Sequence, residues 1–145
     1  AVREFAYVID NLEKQKKSLE KYLTNAMKET APNLSSLVDP LLAARLLAAA
    51  GSLEKLARMP ASTVQLLGAE KALFRHLHQK GKSPKFGIIY NSPLIQSAQP
   101  EQKGKVARIL SSKLMLAARI DFYSGRDDSQ KMKRELDEEI KKVKQ

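Results

Sequence analysis

Along the first thirty positions Phe5, Val8, Leu12, Gln15, Leu19, Tyr22 and Ala26, apolar but for Gln15, follow a 3-4-3-4 spacing with Lys and Glu in most of the gaps. That spacing predicts an amphipathic helix of coiled-coil type, whose seam needs an antiparallel partner helix from a longer chain or a second copy. The tract Ala31-Pro32-Asn33 interrupts the pattern. Pro40 then opens an almost wholly apolar run, Leu41 to Ala50, which Gly51 stops, and this predicts a buried central helix. Ser52 is placed to cap a short helix ending near Pro60. Ser62 with Gln65 three places on forms a capping-box pattern for a further helix reaching Gln79.

Between Gly81 and Pro100 the glycines and prolines multiply around Phe86-Gly87-Ile88-Ile89-Tyr90, predicting an irregular segment with short helical or extended pieces. From Glu101 to Tyr123, residues Val106, Ile109, Leu110, Leu114, Ala117 and Ile120 recur at helical spacing, and Ser124-Gly125 separates them from a last charged helix. No stretch reads as a strand. The expected fold is therefore all-α, with residues 1–31 as the end of a coiled-coil helix, 32–124 as the main domain and 125–145 as a charged C-terminal helix.

Composition sharpens this picture. Aromatics make up only 6% of the 145 residues and Trp is absent, so helices must bury Leu, Ile, Val and Ala against one another. The formal charge of +10 points to an anionic partner. Its distribution is uneven: residues 61–124 carry 10 basic and 3 acidic side chains, while the flanking segments are close to balance. With no Cys there is no disulfide, thiolate metal site or cysteine nucleophile. The longest apolar run is too short to span a bilayer and the charged N-terminus has no signal-peptide profile, so no membrane partner is expected. An abrupt start inside a helical pattern reads as a piece of a longer protein.

The catalytic inventory is poor. His76 and His78, the only histidines, diverge by about 200° on a helix and cannot share a metal. No Ser, His and Asp are spaced as a triad, and Asp127-Asp128 reads as a helix start. Binding chemistry is richer. Lys71, Arg75 and His78 share a broad helical face that can meet phosphates, beside Gln65, Gly68, Ala69 and Glu70, where small side chains admit close approach by a protein partner. Lys103, Lys105, Arg108 and Lys113 form a second basic group, with Ser111 and Ser112 among them, and Lys82 lies in a basic turn that lacks the P-loop spacing. Tyr90, Asn91 and Ser92 combine a ring, an amide and a hydroxyl, the set that stacks on and hydrogen-bonds to unpaired bases, although a Tyr beside two isoleucines is equally a core residue. Arg119 reads as a structural cation, locked to Asp121 or to a distant carboxylate.

Five tracts occur in order: Ala31-Pro32-Asn33-Leu34, Ala50-Gly51-Ser52-Leu53, Met59-Pro60-Ala61-Ser62-Thr63, Gly68-Ala69-Glu70-Lys71-Ala72-Leu73-Phe74 and Ala117-Ala118-Arg119-Ile120-Asp121. Together they resemble the signature of Nop-domain proteins, over roughly residues 1–124. The resemblance implies a non-catalytic scaffold without cofactors. Such a scaffold recognises box C/D-type kink-turn guide RNA together with a small ribosomal-protein-like kink-turn binder, in particles that methylate ribose 2′-hydroxyls. It further implies that the methyltransferase is a separate subunit, fibrillarin, docking on an N-terminal domain outside this sequence, and that the coiled coil mediates self-association. Carried over by position, the Gly68 to Phe74 helix and the Tyr90-Asn91-Ser92 loop belong near the composite site, with Asn91 where some relatives, the spliceosomal ones included, have His. The lack of Cys in Ser112-Lys113-Leu114-Met115 favours an archaeal, cytoplasmic member over a nucleolar or nuclear one. Competing readings are a helical protein–protein adaptor without RNA contact, a spliceosomal-type Nop factor, and, less attractively, a membrane-surface module, whose charges would have to line one stripe.

Overall fold

A computed structural model describes residues 1–145, and its regular elements are all helical, without a strand. Helix α1 (Val2–Thr30) ends where Ala31 leaves helical geometry at φ −140°, ψ 67°. It is followed by α2 (Pro32–Leu37), α3 (Pro40–Ala50), α4 (Leu53–Arg58), α5 (Ala61–Leu66) and α6 (Glu70–Gln79). A 3₁₀ turn (Ile88–Asn91) and the short α7 (Pro93–Gln96) lead to α8 (Lys103–Arg119), which widens into a π turn (Ile120–Ser124) before α9 (Ser129–Lys144). No helix is long and apolar enough to cross a membrane.

The local signals explain most boundaries. Pro32, Pro40 and Pro93 each open a helix, where a missing N–H costs nothing. Asp39 and Ser52 accept from Leu41 N and Lys55 N as side-chain caps, and Gly51 closes α3 in the left-handed conformation. The helix read from Ser62 to Gln79 is in fact two. Its capping box does not form: Pro60 stands at the cap position of α5, and Gln65 turns its amide to the Lys85 carbonyl, 2.8 Å away. The break falls at Leu67-Gly68-Ala69, where Gly68 takes φ +91°.

The centre of the bundle is α8, not α3. Val106, Ala107, Leu110, Ser111, Leu114, Ala117 and Ala118 of α8 are all buried, and α2, α4, α5, α7 and α9 pack around it. Helix α3 buries Leu42, Ala43, Leu46 and Ala50 but leaves Arg45, Ala48 and Ala49 in solvent. The apolar residues it leaves in solvent are alanines, which cost little when exposed. The charged last helix belongs to the same core, since Met132, Leu136 and Ile140 of α9 are buried there.

Two elements reach beyond the bundle, α1 packing on α3 only near its C-terminal end. Helix α1 buries only Met27, and its stripe faces solvent, with Phe5 68% and Tyr22 69% exposed. Helix α6 buries no residue at all.

Candidate nucleic-acid interface

The turn that carries Tyr90 is anchored from below. Ile89 is fully buried, and the backbone is stitched to the end of α5 by Gly87 N to Gln65 O (2.9 Å) and Ile88 N to Leu67 O (2.8 Å). Two glycines make this crossing possible. A Cβ on Gly87 would lie 2.0 Å from the Leu67 oxygen, and one on Gly68 would lie 2.6 Å from Ile88 Cγ1. The α5–α6 break and the Tyr90 turn are thereby held side by side, so the base of α6 and the aromatic turn share one edge of the bundle.

On that edge Tyr90 is not a core residue. It is 41% exposed and stacks on Phe86, ring centroids 5.2 Å apart and 27° from parallel, while Lys103 Nζ lies 5.4 Å from the Tyr90 centroid. Asn91, beside it, is exposed and spends one amide hydrogen on Ile88 O at 3.2 Å, which leaves its carbonyl oxygen free of intramolecular bonds. A π-face, a cation and an open amide therefore adjoin, a set suited to stacking a base and neutralising a phosphate. Phe86 and the Lys103–Tyr90 pairing escape a reading of local sequence, though the four-residue spacing of Phe86 and Tyr90 was a usable hint.

Helix α6 projects next to this turn. Phe74 and Leu77 are 61% and 68% exposed, and Lys71, Arg75 and Lys82 have no carboxylate partner. Glu70, Lys71, Phe74 and Arg75 line a shallow cleft, and a second groove runs along Ser62, Thr63, Leu66, Leu67, Glu70 and Leu73. His78 does not stand free: its ring packs on Phe74 with centroids 4.2 Å apart. His76 Nδ1 donates to the Gly81 carbonyl at 2.6 Å, tying the helix end to the following loop. Gln65 and Gly68 work inside the fold through Lys85 and Ile88, Glu70 Oε1 accepts from Gly68 N at 2.9 Å, and Ala69 is half-buried at the helix start.

The second basic group is divided by the structure. Lys103 sits at the first turn of α8 on the side that faces the core and the Tyr90 ring. Lys105 is turned about 200° away, and Arg108 and Ser112 lie within about 60° of Lys105 on the outer face. Lys105 and Arg108 are exposed and unpaired.

Three sequence candidates serve the scaffold instead. Ser92 is 2% exposed and its hydroxyl caps α7 by accepting from Leu94 N at 3.4 Å. Ser111 is buried and donates to Arg108 O at 3.0 Å. The Lys113 side chain is 12% exposed, and its ammonium bridges Glu135 and Glu139 of α9, each at 3.0 Å. Burial works against the Lys113 charge, but the hydrogen bonds and charges of Glu139 and Glu135 outweigh it and hold its pKa above the ordinary value. The same contact lowers the pKa of Glu135. Arg119 is structural as expected, though through a different partner: its Nε donates to Ala57 O at 3.0 Å. Asp121 instead receives the N–H groups of Asn33 and Leu34 at the start of α2.

Over residues 1–144 the sequence matches the family described as Nop, snoRNA binding domain, fibrillarin. It is 54% identical over 119 residues to an uncharacterised NOP5 family protein of Methanocaldococcus jannaschii, covering 82% of this chain and 29% of that protein. It is 52% identical over 109 residues to nucleolar protein 58 of Schizosaccharomyces pombe, covering 75% and 22% respectively. Among solved structures it resembles a chain of a fibrillarin/Nop5p complex, with TM-score 0.81, 33% identity, and coverage of 97% of this chain and 53% of the other. The chain thus spans under a third of the length of these two curated relatives.

Proposed function

The chain belongs to the Nop family, and on that premise we propose that it is a non-catalytic RNA-binding scaffold for a box C/D-type ribonucleoprotein. Its ligand is a composite, kink-turn guide RNA with a small kink-turn-binding protein seated on it. The observation that carries this reading is the edge where the exposed Tyr90 ring, backed by Phe86 and Lys103, adjoins the projecting helix α6 with its unpaired Lys71 and Arg75. RNA that is bent presents both a backbone and splayed bases, and this edge offers cations for the first and a stacking face with the Asn91 amide for the second. His78 and Lys82 extend the α6 surface, and Lys105 and Arg108 add a separate outward cationic strip along α8. The small protein is met at the α5–α6 break by the parts of Gln65, Gly68, Ala69 and Glu70 that stay accessible beside their internal contacts, with Phe74 and Leu77 supplying apolar area.

In the assembled particle, fibrillarin carries the methyl transfer and docks on a domain outside this chain, while the exposed α1 stripe pairs with another coiled-coil helix. Against the pure adaptor reading stands the absence of any carboxylate partner for Lys71, Arg75, Lys105 and Arg108. The 54% identity to a protein from an archaeon, taken with the lack of Cys, supports an archaeal, cytoplasmic assignment. The fungal relative is named as nucleolar.

The test is a gel-shift titration with kink-turn RNA, with and without the small binding protein, at several salt concentrations. Binding is expected to be weak and steeply salt-dependent for the chain alone and at least tenfold tighter on the preformed complex. Lys71→Glu with Arg75→Glu should lower affinity by ten- to a hundredfold and flatten the salt slope. Unchanged assembly by that variant would favour the adaptor.

A further inference from the structure

The 29-residue helix α1 leaves the bundle through one non-helical residue, Ala31, and the next helix is only six residues long. Such a junction would ordinarily swivel. Here α2 is gripped by a hydrogen-bonded node. Asp121, on the π turn that ends α8, accepts from Asn33 N (3.1 Å), Leu34 N (2.9 Å) and Asn33 Nδ2 (2.7 Å). The Asn33 amide also donates to Arg126 O (2.6 Å) and accepts from Asp128 N (2.7 Å). Asn33 is fully buried, both of its amide hydrogens and its carbonyl oxygen are used, and the partners come from two separate stretches of chain, the end of α8 and the loop into α9. Ser36 adds a bond to Ser129 O at 3.4 Å, and Ser35 reaches back to Met27 O of α1 at 3.2 Å.

We infer that the Asn33–Asp121 node is a positioning device that fixes the direction in which α1 leaves the bundle. At 1.5 Å per residue the arm is roughly 43 Å long, so a 10° swing at Ala31 displaces its tip by about 7 Å. A small loosening at the elbow is therefore a large error at the far end. Packing on α3 restrains only the C-terminal end of α1, around Met27, and every residue from Ala1 to Leu19 is exposed. An Asn with every polar atom committed in a dry site is also hard to replace, since any substitute leaves a backbone or carboxylate group unpaired. The device is independent of what the chain binds, and its test needs no RNA.

The chain has no Cys, so paired cysteine substitutions give unambiguous spin labels. One pair, Lys16→Cys with Glu138→Cys, spans arm and bundle; the other, Lys55→Cys with Glu138→Cys, lies within the bundle. Pulsed dipolar distances would be compared among the parent chain, Asn33→Ala and Asp121→Asn. The expected result is an unchanged bundle distance and an arm distribution at least twice as broad in both variants. An arm distribution as narrow as the parent's, in a variant whose bundle distance is intact, overturns the inference and assigns the elbow to the packing of α1 on α3. Broadening of both distances, or loss of helical circular dichroism at 20 °C in both variants, also overturns it, because the node would then hold the whole fold and not the elbow.

Discussion

Replacing Gly87 by Ala inserts a methyl group where the Leu67 carbonyl oxygen already stands, 2.0 Å from the new Cβ, with the Leu67 and Leu66 carbonyl carbons at 2.7 and 2.9 Å. All three atoms are backbone, so no flexible side chain can swing aside. Ordinary contact requires the two strands of chain to part by more than about 1 Å, and that breaks Gly87 N to Gln65 O and Ile88 N to Leu67 O. Each such bond contributes about 1 kcal/mol net, and overpacking of this kind costs about 1–3 kcal/mol. The two figures describe the same event in part, so the expected loss is about 2–4 kcal/mol, or roughly 6–12 °C in Tm for a chain of this size. Gly104→Ala is the control, since nothing lies within 4 Å of its would-be Cβ in the first turn of α8, and it should be neutral or stabilising by up to about 0.5 kcal/mol. Urea unfolding followed by circular dichroism reads both. A Gly87→Ala loss smaller than about 0.5 kcal/mol would refute the close-crossing argument, and with it the claim that α6 and the Tyr90 turn are held in register.

The same geometry supports three further expectations. Tyr90→Ala should leave Tm within about 2 °C of the parent, because the ring is half in solvent, yet weaken the RNA complex by roughly 1–3 kcal/mol in a gel shift; Tyr90→Phe should retain most of that binding. Lys113→Met should destabilise by about 1 kcal/mol at low salt and less at 1 M salt, since Glu135 and Glu139 are partly exposed and screened. Because the folded-state pKa of Lys113 is raised, its contribution is fully present below about 10.5, the ordinary value, and fades as pH rises through the folded value; a stability difference between parent and Lys113→Met that persists undiminished into stronger alkali would count against the bridge. Ser92→Ala should cost about 1 kcal/mol through loss of the α7 cap, measured by thermal melting, and should not alter the salt slope of RNA binding.

Asp121 illustrates how a buried acid can serve structure. Burial pushes its pKa up from the ordinary carboxylate value, against the Leu34 and Asn33 donors, which pull it down, while Asp127 nearby also raises it. A raised folded-state pKa means that ionising this group opposes folding as pH climbs through the window just above about 3.8. The node is thus held for its geometry at some expense in stability at every pH above that window, an expense that acid removes.

The chain's own sequence determined the all-helical class, most helix starts and stops, the apolar stripe of α1, and the concentration of uncompensated positive charge between residues 61 and 124. These are local matters. A proline at a first turn, a serine at a cap and a heptad-like spacing act through neighbours three or four residues away, and the pattern carries their consequence. Tertiary structure alone decided which helix is central, since the more mixed α8 is the one surrounded by other helices although α3 is the more hydrophobic of the two. It alone separated the basic residues into free and committed ones: Lys113 meets carboxylates 22 and 26 positions away, Lys103 meets Tyr90, and Lys105 faces outward. It also gave Gly68 and Gly87 their meaning, as the two places where distant backbone comes too close for a Cβ, and joined Asn33 to Asp121 across 88 positions. Contacts between residues so far apart arise only when packing brings separate helices together, so no periodicity within one segment can announce them.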